Sequence, residues 1–125
     1  VDESGKGDFF GPLCIAGVYA GPKELEILKK IGVKDSKTLT APLIMKMAQA
    51  IRASVPHHIV RISPLKYNTL YSQFANLNLF LAWGHATVIE ALSQETGCKR
   101  ALIDQFTHLP LVENALKKKS LVLEF

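Results

Sequence analysis

The chain has 125 residues, and its 15 Lys and Arg against 11 Asp and Glu give a formal net charge of +4 at pH 7. This length fits one domain, residues 1–125, near the lower edge for a complete enzyme. The excess of basic residues favours polyanionic partners. No apolar run approaches the length of a membrane span, so no membrane association is expected. The two cysteines, Cys14 and Cys98, are far apart and indicate a reducing, cytoplasmic setting.

The amino-terminal stretch combines two adjacent acids with a glycine-containing turn. Neighbouring residues on a strand point to opposite faces, so Asp2 and Glu3 can share one cation only if the chain bends directly after them. Gly5 and Gly7 permit such a bend and let backbone N–H groups approach a ligand, while Lys6 adds a cation suited to a phosphate. We therefore predict a divalent metal on one side of the turn and a phosphodiester on the other. The alternative is a polar strand end followed by a glycine-rich hairpin.

The apolar run from Leu13 to Ala20 comes next and predicts a central strand that is buried on both faces. Turn, capping and periodicity signals predict the other elements. Helices are expected over Pro22–Ile31, Ala41–Ser54, a short stretch from Pro64, Leu77–Glu95 and Leu109–Lys118, and strands over His57–Ile62, Arg100–Asp104 and Ser120–Phe125. This order of strands and helices predicts an α/β fold.

The loop after the first predicted helix groups Asp35, Ser36 and Lys37. A carboxylate, a hydroxyl and an ammonium group together can hold a sugar-phosphate backbone. Asp and Ser are also ordinary turn residues, so a purely structural cap is the alternative interpretation of this loop.

A further carboxylate, Asp104, ends the predicted strand that begins at Arg100. Ligands of an open α/β sheet collect where strands end, so Asp104 can converge with the Asp2–Glu3 pair on one ion. Hard oxygen ligands suit Mg²⁺, and two such ions can activate a water and stabilise the leaving oxygen of a phosphodiester. The pattern therefore indicates metal-assisted attack on a phosphodiester.

Several short motifs, in the order of a known family, span nearly the whole chain. They are Asp2-Glu3-Ser4-Gly5-Lys6-Gly7-Asp8 with Phe10-Gly11-Pro12-Leu13, Val33-Lys34-Asp35-Ser36-Lys37, Tyr67-Asn68 with Asn76-Leu77-Asn78, Ala82-Trp83-Gly84-His85, and Ile103-Asp104-Gln105-Phe106. On these residues the sequence resembles the prokaryotic type 2 and type 3 ribonucleases H. It resembles type 3 most closely, because Lys6 occupies the glycine turn where type 2 enzymes usually have Arg, and because Gln105 and Phe106 follow Asp104.

This resemblance implies a ribonuclease H-like mixed β-sheet flanked by helices. It also implies a monomeric endonuclease that cleaves the RNA strand of RNA–DNA hybrids with Mg²⁺ or Mn²⁺ and leaves 5′-phosphate and 3′-hydroxyl ends. By the same resemblance, Asp2, Glu3 and Asp104 would be the catalytic metal ligands.

The resemblance also implies substrate contacts. The Gly5-Lys6-Gly7 turn would contact the 2′-hydroxyls and backbone near the scissile bond, which distinguishes RNA from DNA. Asp35, Ser36 and Lys37 would help to hold the substrate. The matching positions Tyr67, Asn76, Asn78 and His85 have no assigned role.

Two departures from the family pattern leave an alternative open. The fourth active-site acid would be expected just past the strand Ser120–Phe125, and the N-terminal substrate-binding domain of type 3 enzymes does not precede Val1, so we expect a domain truncated at both ends. Glu124 is a candidate stand-in for the fourth acid, but its apolar neighbours favour an ordinary solvent-facing strand residue. The chain alone should bind hybrids weakly, because the N-terminal domain supplies a share of the phosphate contacts. It should cleave them slowly or not at all, because three carboxylates under-neutralise two Mg²⁺ ions.

Two function classes other than an active nuclease match parts of the sequence. The alternative to an active nuclease is a non-catalytic nucleic-acid-binding fragment. A triphosphate-binding enzyme fits less well, because Gly5-Lys6-Gly7-Asp8 is not followed by Ser or Thr as a P-loop requires.

Overall fold

The computed structural model describes residues 1–4, 12–74, 77–103 and 110–118. These residues form three strands, five α-helices and one short 3₁₀ turn, in the mixed α/β composition that the sequence predicts. The strands are β1 (Asp2–Ser4), β2 (Leu13–Val18) and β3 (His57–Ile62), and the helices are α1 (Pro22–Ile31), α2 (Ala41–Ser54), α3 (Pro64–Phe74), α4 (Leu77–Thr96) and α5 (Leu111–Lys118), with the 3₁₀ turn at Ser36–Thr38.

The strands form one sheet in the order β1-β2-β3, so β2 is central among them, as predicted. β1 runs antiparallel to β2, with Asp2 opposite Ala16 and Glu3 opposite Ile15. Residues directly opposite in an antiparallel pair share one face of the sheet. Glu3 therefore shares the face of Ile15, and Asp2 shares the face of Ala16.

The prediction that β2 is buried on both faces is wrong. Leu13, Ile15 and Gly17 are buried, whereas Ala16 and Val18 on the other face are exposed. Cys14, Ala16 and Val18 are small or β-branched residues, so the run is apolar on both faces of the strand. Composition alone therefore did not reveal which face α4 covers.

α4 is the central helix of the core, and nine of its 20 residues are buried. Three groups of buried side chains surround it. One joins it to α5 through Val112 and Leu116, a second contains Leu13, Ile62, Phe80 and Leu81, and a third joins Ile15 to Val88 and Leu92. A helix packed on several sides is apolar around most of its circumference, as this sequence is.

The chain divides into two compact units, Val1–Gly17 with His58–Phe125, and Val18–His57. The second unit contains α1 and α2, whose predicted bounds are confirmed. Gly32 ends α1 in the left-handed conformation, with φ of 86°. Thr40 precedes α2 in an extended conformation, but its side chain makes no cap hydrogen bond.

The carboxyl-terminal part differs from the prediction. In place of a strand from Arg100 to Asp104, the structure has an isolated bridge at Arg100 and no regular structure at 101–103. The predicted strand Ser120–Phe125 lies outside the described residues. No helix in the described part of the chain is long and apolar enough to cross a membrane.

Candidate metal site

The two adjacent acids lie on β1 and point to different environments. Asp2 is exposed and Glu3 is half-buried, in agreement with the strand alternation expected from the sequence. The backbone N–H of Glu3 donates a hydrogen bond to Oδ1 of Asp2 over 2.8 Å. This bond holds the carboxylate of Asp2 back along its own strand, beside Glu3.

Glu3 has a specific partner in the core. Nε2 of His85 lies 2.9 Å from Oε2 of Glu3. A carboxylate oxygen only accepts hydrogen bonds, so Nε2–H is the donor. The His85 side chain is fully buried, and that of Glu3 is 12% exposed. Among the described residues, no hydrogen bond to the other oxygen, Oε1, is seen.

Close backbone packing brings His85 to Glu3. Gly84, the residue before His85, packs against Ile15, and a methyl group built at position 84 would overlap the Cδ1 atom of Ile15. Ile15 is the residue directly opposite Glu3 on the neighbouring strand. Glycine at position 84 therefore permits α4 to approach the sheet at the level of Glu3.

A second close approach lies further along the same strand and helix. A methyl group at Gly17 would lie 2.7 Å from Cγ1 of Val88 and 3.1 Å from Cγ2 of Val1. Contacts this short are tighter than ordinary van der Waals separation. The glycines in β2 and α4 thus fix the helix against the sheet beside Val1, directly before the acids.

The segment that leads to Asp104 contacts the start of β1. The backbone nitrogen of Val1 donates a hydrogen bond to the carbonyl oxygen of Leu102 over 2.9 Å. Val1, Ala101 and Ile103 also pack against the same cluster, which is formed by buried residues of α4 and α5. Val1 and Ile103, which directly precede Asp2 and Asp104, therefore pack on the same hydrophobic cluster.

Several predicted site residues lie outside the described part of the chain. These are Asp104 and the turn Gly5-Lys6-Gly7. Within residues 1–4, 12–74, 77–103 and 110–118, no three His, Cys, Asp or Glu side chains are grouped so that they could hold a metal ion. The predicted trio of Asp2, Glu3 and Asp104 therefore stays a prediction.

The loop predicted to hold substrate has a structural function of its own. The backbone N–H of Lys37 donates to Oδ1 of Asp35 over 3.1 Å, and the Thr38 hydroxyl donates to the Asp35 carbonyl over 2.7 Å. This is the turn chemistry that Asp supplies locally. The side chain of Lys37 is exposed, so the turn leaves a cation at the surface.

Two of the matching positions without an assigned role belong to the core. The ring of Tyr67 lies 5.2 Å from that of Phe80, centroid to centroid. His85 is the functional candidate whose role the sequence did not reveal. The available signal was one imidazole within the apolar stripe of a long helix, because a buried polar side chain requires a partner.

The donor chemistry of Asp2 and Glu3 fits a hard divalent cation. Both side chains provide carboxylate oxygens, and Glu3 has one oxygen fixed by His85 and one without a hydrogen bond from any described residue. Mg²⁺ and Mn²⁺ prefer such oxygen ligands. These residues would hold a cation beside β1 if further oxygen ligands complete its coordination.

Comparison with known proteins gives a consistent result. The family model described as Ribonuclease HII matches residues 1–122. Ribonuclease HIII of Protochlamydia amoebophila (strain UWE25) is 53% identical over 121 residues, which cover 97% of this chain and 40% of that protein. The chain therefore spans about two fifths of the length of this relative.

Solved structures share the fold. Bst-RNase HIII in complex with Mn²⁺ has a TM-score of 0.83 and 26% identity, over 98% of this chain and 41% of that one. Aquifex aeolicus RNase H3 has a TM-score of 0.77 and 29% identity, over 86% of this chain and 42% of that one. The predicted ribonuclease H-like α/β fold is confirmed. Since the family match extends from the acids of β1 to the end of α5 and beyond, the chain belongs to the ribonuclease HII family.

Proposed function

We propose that this chain is the catalytic domain of an endoribonuclease that hydrolyses the RNA strand of RNA–DNA hybrids with Mg²⁺ or Mn²⁺. The observation that supports this most directly is the Glu3 carboxylate, held by His85 at one oxygen beside Asp2 on β1. A nearly buried acid with one fixed oxygen is suited to a cation ligand. Family membership supplies the reaction class.

Asp104 is proposed as the third ligand. The support is the hydrogen bond from Val1 to Leu102, together with the packing of Val1 and Ile103 on one cluster. Along 101–103, Ala101 and Ile103 are half-buried and Leu102 is 87% exposed. Asp104 follows Ile103 directly, so the anchoring of this segment beside Val1 is what supports it as the third ligand.

The reaction is the addition of water across a phosphodiester. Water attacks the phosphorus, the bond from phosphorus to the 3′ oxygen breaks, and the products have 5′-phosphate and 3′-hydroxyl ends. The bound cations would supply activation of the water and stabilisation of the leaving oxygen. In this scheme Asp2, Glu3 and Asp104 bind the cations and orient them, and His85 keeps Glu3 in place.

Substrate recognition is proposed for the turn and the loop. Gly5-Lys6-Gly7 would present backbone N–H groups and one ammonium to the RNA strand, where the 2′-hydroxyl distinguishes it from DNA. Lys37 would contact a phosphate, supported by its exposure, and Asp35 would shape the turn that presents it. We also propose a cytoplasmic location, since Cys14 and Cys98 are both free thiols, and a monomeric state, which rests on the family resemblance alone.

Cleavage of a labelled RNA–DNA hybrid by the full-length protein tests the proposal. We expect cutting of the RNA strand with Mg²⁺ or Mn²⁺, none with excess chelator, and none of a DNA duplex of the same sequence. Asp104→Asn should abolish cleavage, whereas Glu113→Gln, on the exposed side of α5, should not change it. Binding of the hybrid without cleavage under all metal conditions would support the non-catalytic alternative instead.

A further inference from the structure

His85 is the charged-or-polar residue most deeply buried in the described core, and its Nε2 atom contacts the carboxylate of Glu3. We propose that His85 is a positioning residue: by donating from Nε2 to Oε2, it fixes the Glu3 carboxylate so that Oε1 is directed to the cation. This inference depends on the proposed metal site. It assigns to His85 a function for which neither the sequence motif nor the family match gives a reason.

The backbone holds the donor at a fixed position. His85 lies on the central helix, between Gly84 and Ala86, both of which are buried. Gly84 packs against Ile15, and Ile15 is directly opposite Glu3. The separation between imidazole and carboxylate is therefore set by the helix-to-sheet distance, and neither group can move away without opening this contact.

The hydrogen bond restricts a side chain that is otherwise flexible. A Glu side chain has three torsions, and ordering it for a ligand costs conformational entropy. With Oε2 fixed by His85, much of that cost is met during folding, and Oε1 is left as the oxygen for the cation. Hydrogen-bonded partners of metal ligands typically raise metal affinity or activity by about 10–100-fold.

A purely structural role is the competing explanation. The pair would then stabilise the core, and any loss of activity on mutation would follow from unfolding. The two explanations differ in what they predict for a stable variant that lacks the donor. They also differ in whether the effect of the substitution depends on the carboxylate of Glu3.

The test is Mn²⁺ binding by the full-length protein, measured without substrate by electron paramagnetic resonance of free Mn²⁺. His85→Leu replaces the imidazole with an apolar side chain of similar volume and so removes the donor. His85→Gln keeps an N–H donor. Leu81→Ala, one turn earlier on α4 and also fully buried, is the matched control for lost core packing. Thermal unfolding of each variant reports the stability.

We expect His85→Leu to weaken Mn²⁺ binding at least tenfold, on the order of the effect of other such partners. His85→Gln should recover most of the Mn²⁺ affinity, and Leu81→Ala should lower Tm without changing that affinity. In a Glu3→Gln background, His85→Leu should have no further effect on Mn²⁺ binding, because the group it positions is already lost.

Three results would overturn the inference: unchanged Mn²⁺ affinity in His85→Leu, equal loss in His85→Leu and His85→Gln at equal Tm, or no Mn²⁺ binding by the wild-type protein. If His85→Leu does not fold, His85→Met, which also lacks the donor, replaces it, and its Mn²⁺ affinity is compared with that of Leu81→Ala. A wild-type protein that binds Mn²⁺ but cleaves no hybrid contradicts the proposed function alone, and the binding comparison still applies.

Discussion

Gly84 of α4 packs directly against Ile15 of β2, with no room for a methyl group between them. Ile15 is fully buried and directly opposite Glu3, and His85 follows Gly84. Because glycine has no side chain, position 84 determines how closely the central helix approaches the strand that bears the acids. The site depends on this packing as well as on its acidic residues.

Replacing Gly84 with Ala should destabilise the protein. Ala gains about 1 kcal/mol of helix propensity over Gly, but forcing a methyl group into a filled core costs roughly 1–3 kcal/mol. We expect a net loss of about 1 kcal/mol in the free energy of unfolding, measured with urea, and slower hybrid cleavage because His85 is displaced from Glu3.

The matched variant is Ile15→Val, which deletes the Cδ1 atom that the new methyl group would meet. Ile15→Val alone should cost about 1 kcal/mol, and Gly84→Ala with Ile15→Val should be more stable than the sum of the two single changes. Additive losses, or a Gly84→Ala protein more stable than wild type, would show that α4 can move away from the sheet without cost.

The helices were predictable because their signals are local. Pro22 at the start of α1 and Gly32 after it specify the bounds of that helix within a few residues. The burial of β2 was not predictable in the same way. The apolar run Leu13–Ala20 does not indicate on how many sides helices pack, and only one face of β2 is buried.

The pairing of Glu3 with His85 depends on a contact between residues 82 positions apart in the chain. Sequence patterns identified Glu3 as a ligand candidate and His85 as an unexplained match, but nothing in either motif fixes the distance between them. That distance follows from the register of β1 with β2 and from the packing of Gly84. Both are tertiary properties, which local propensity does not encode.

Glu3→Gln should separate the metal function of Glu3 from its structural function. The amide oxygen of Gln can still accept the hydrogen bond from His85, so Tm should stay near the wild-type value. Loss of a ligand charge should nevertheless slow hybrid cleavage by about 100-fold or more, since metal stabilisation of the transition state is worth several kcal/mol. The rate is measured with Mg²⁺ well above saturation for the wild-type protein.

The control for this change is Glu24→Gln, because Glu24 lies in the first turn of α1. It should leave the cleavage rate unchanged. If Glu3→Gln cleaves as fast as wild type, Glu3 is not a ligand, and its contact with His85 is structural only.

Gly5→Ala and Gly7→Ala should impair hybrid cleavage far more than they lower stability. The reason is that the turn is proposed to act through its backbone, which a Cβ atom would keep away from the 2′-hydroxyl. Cleavage rate and Tm are measured on the same preparations of full-length protein. A variant with normal cleavage would reduce this turn to a connection between strands.

Gly97→Ala is the control for these two variants, because Gly97 has a left-handed backbone conformation and lies outside the proposed site. Gly97 has φ of 74° and open space around its Cα atom, so Ala there strains the backbone by about 1–2 kcal/mol without a steric clash. We expect a lower Tm with unchanged cleavage. If Gly5→Ala or Gly7→Ala instead slows cleavage with little change in Tm, the loss is attributable to contact between the turn and the substrate.

Two segments of the candidate site pack on the same hydrophobic cluster. Val1 and Ile103 pack on one cluster of α4 and α5, and each directly precedes a proposed metal ligand. Ile103→Ala should therefore weaken Mn²⁺ binding as well as stability, because Asp104 would lose its fixed position relative to Asp2. Ile51→Ala removes a similarly half-buried side chain from α2, in the other compact unit, and should lower Tm while leaving Mn²⁺ affinity unchanged. Titration of both variants with Mn²⁺ makes the comparison, and equal affinities for the two would show that packing at Ile103 does not orient Asp104.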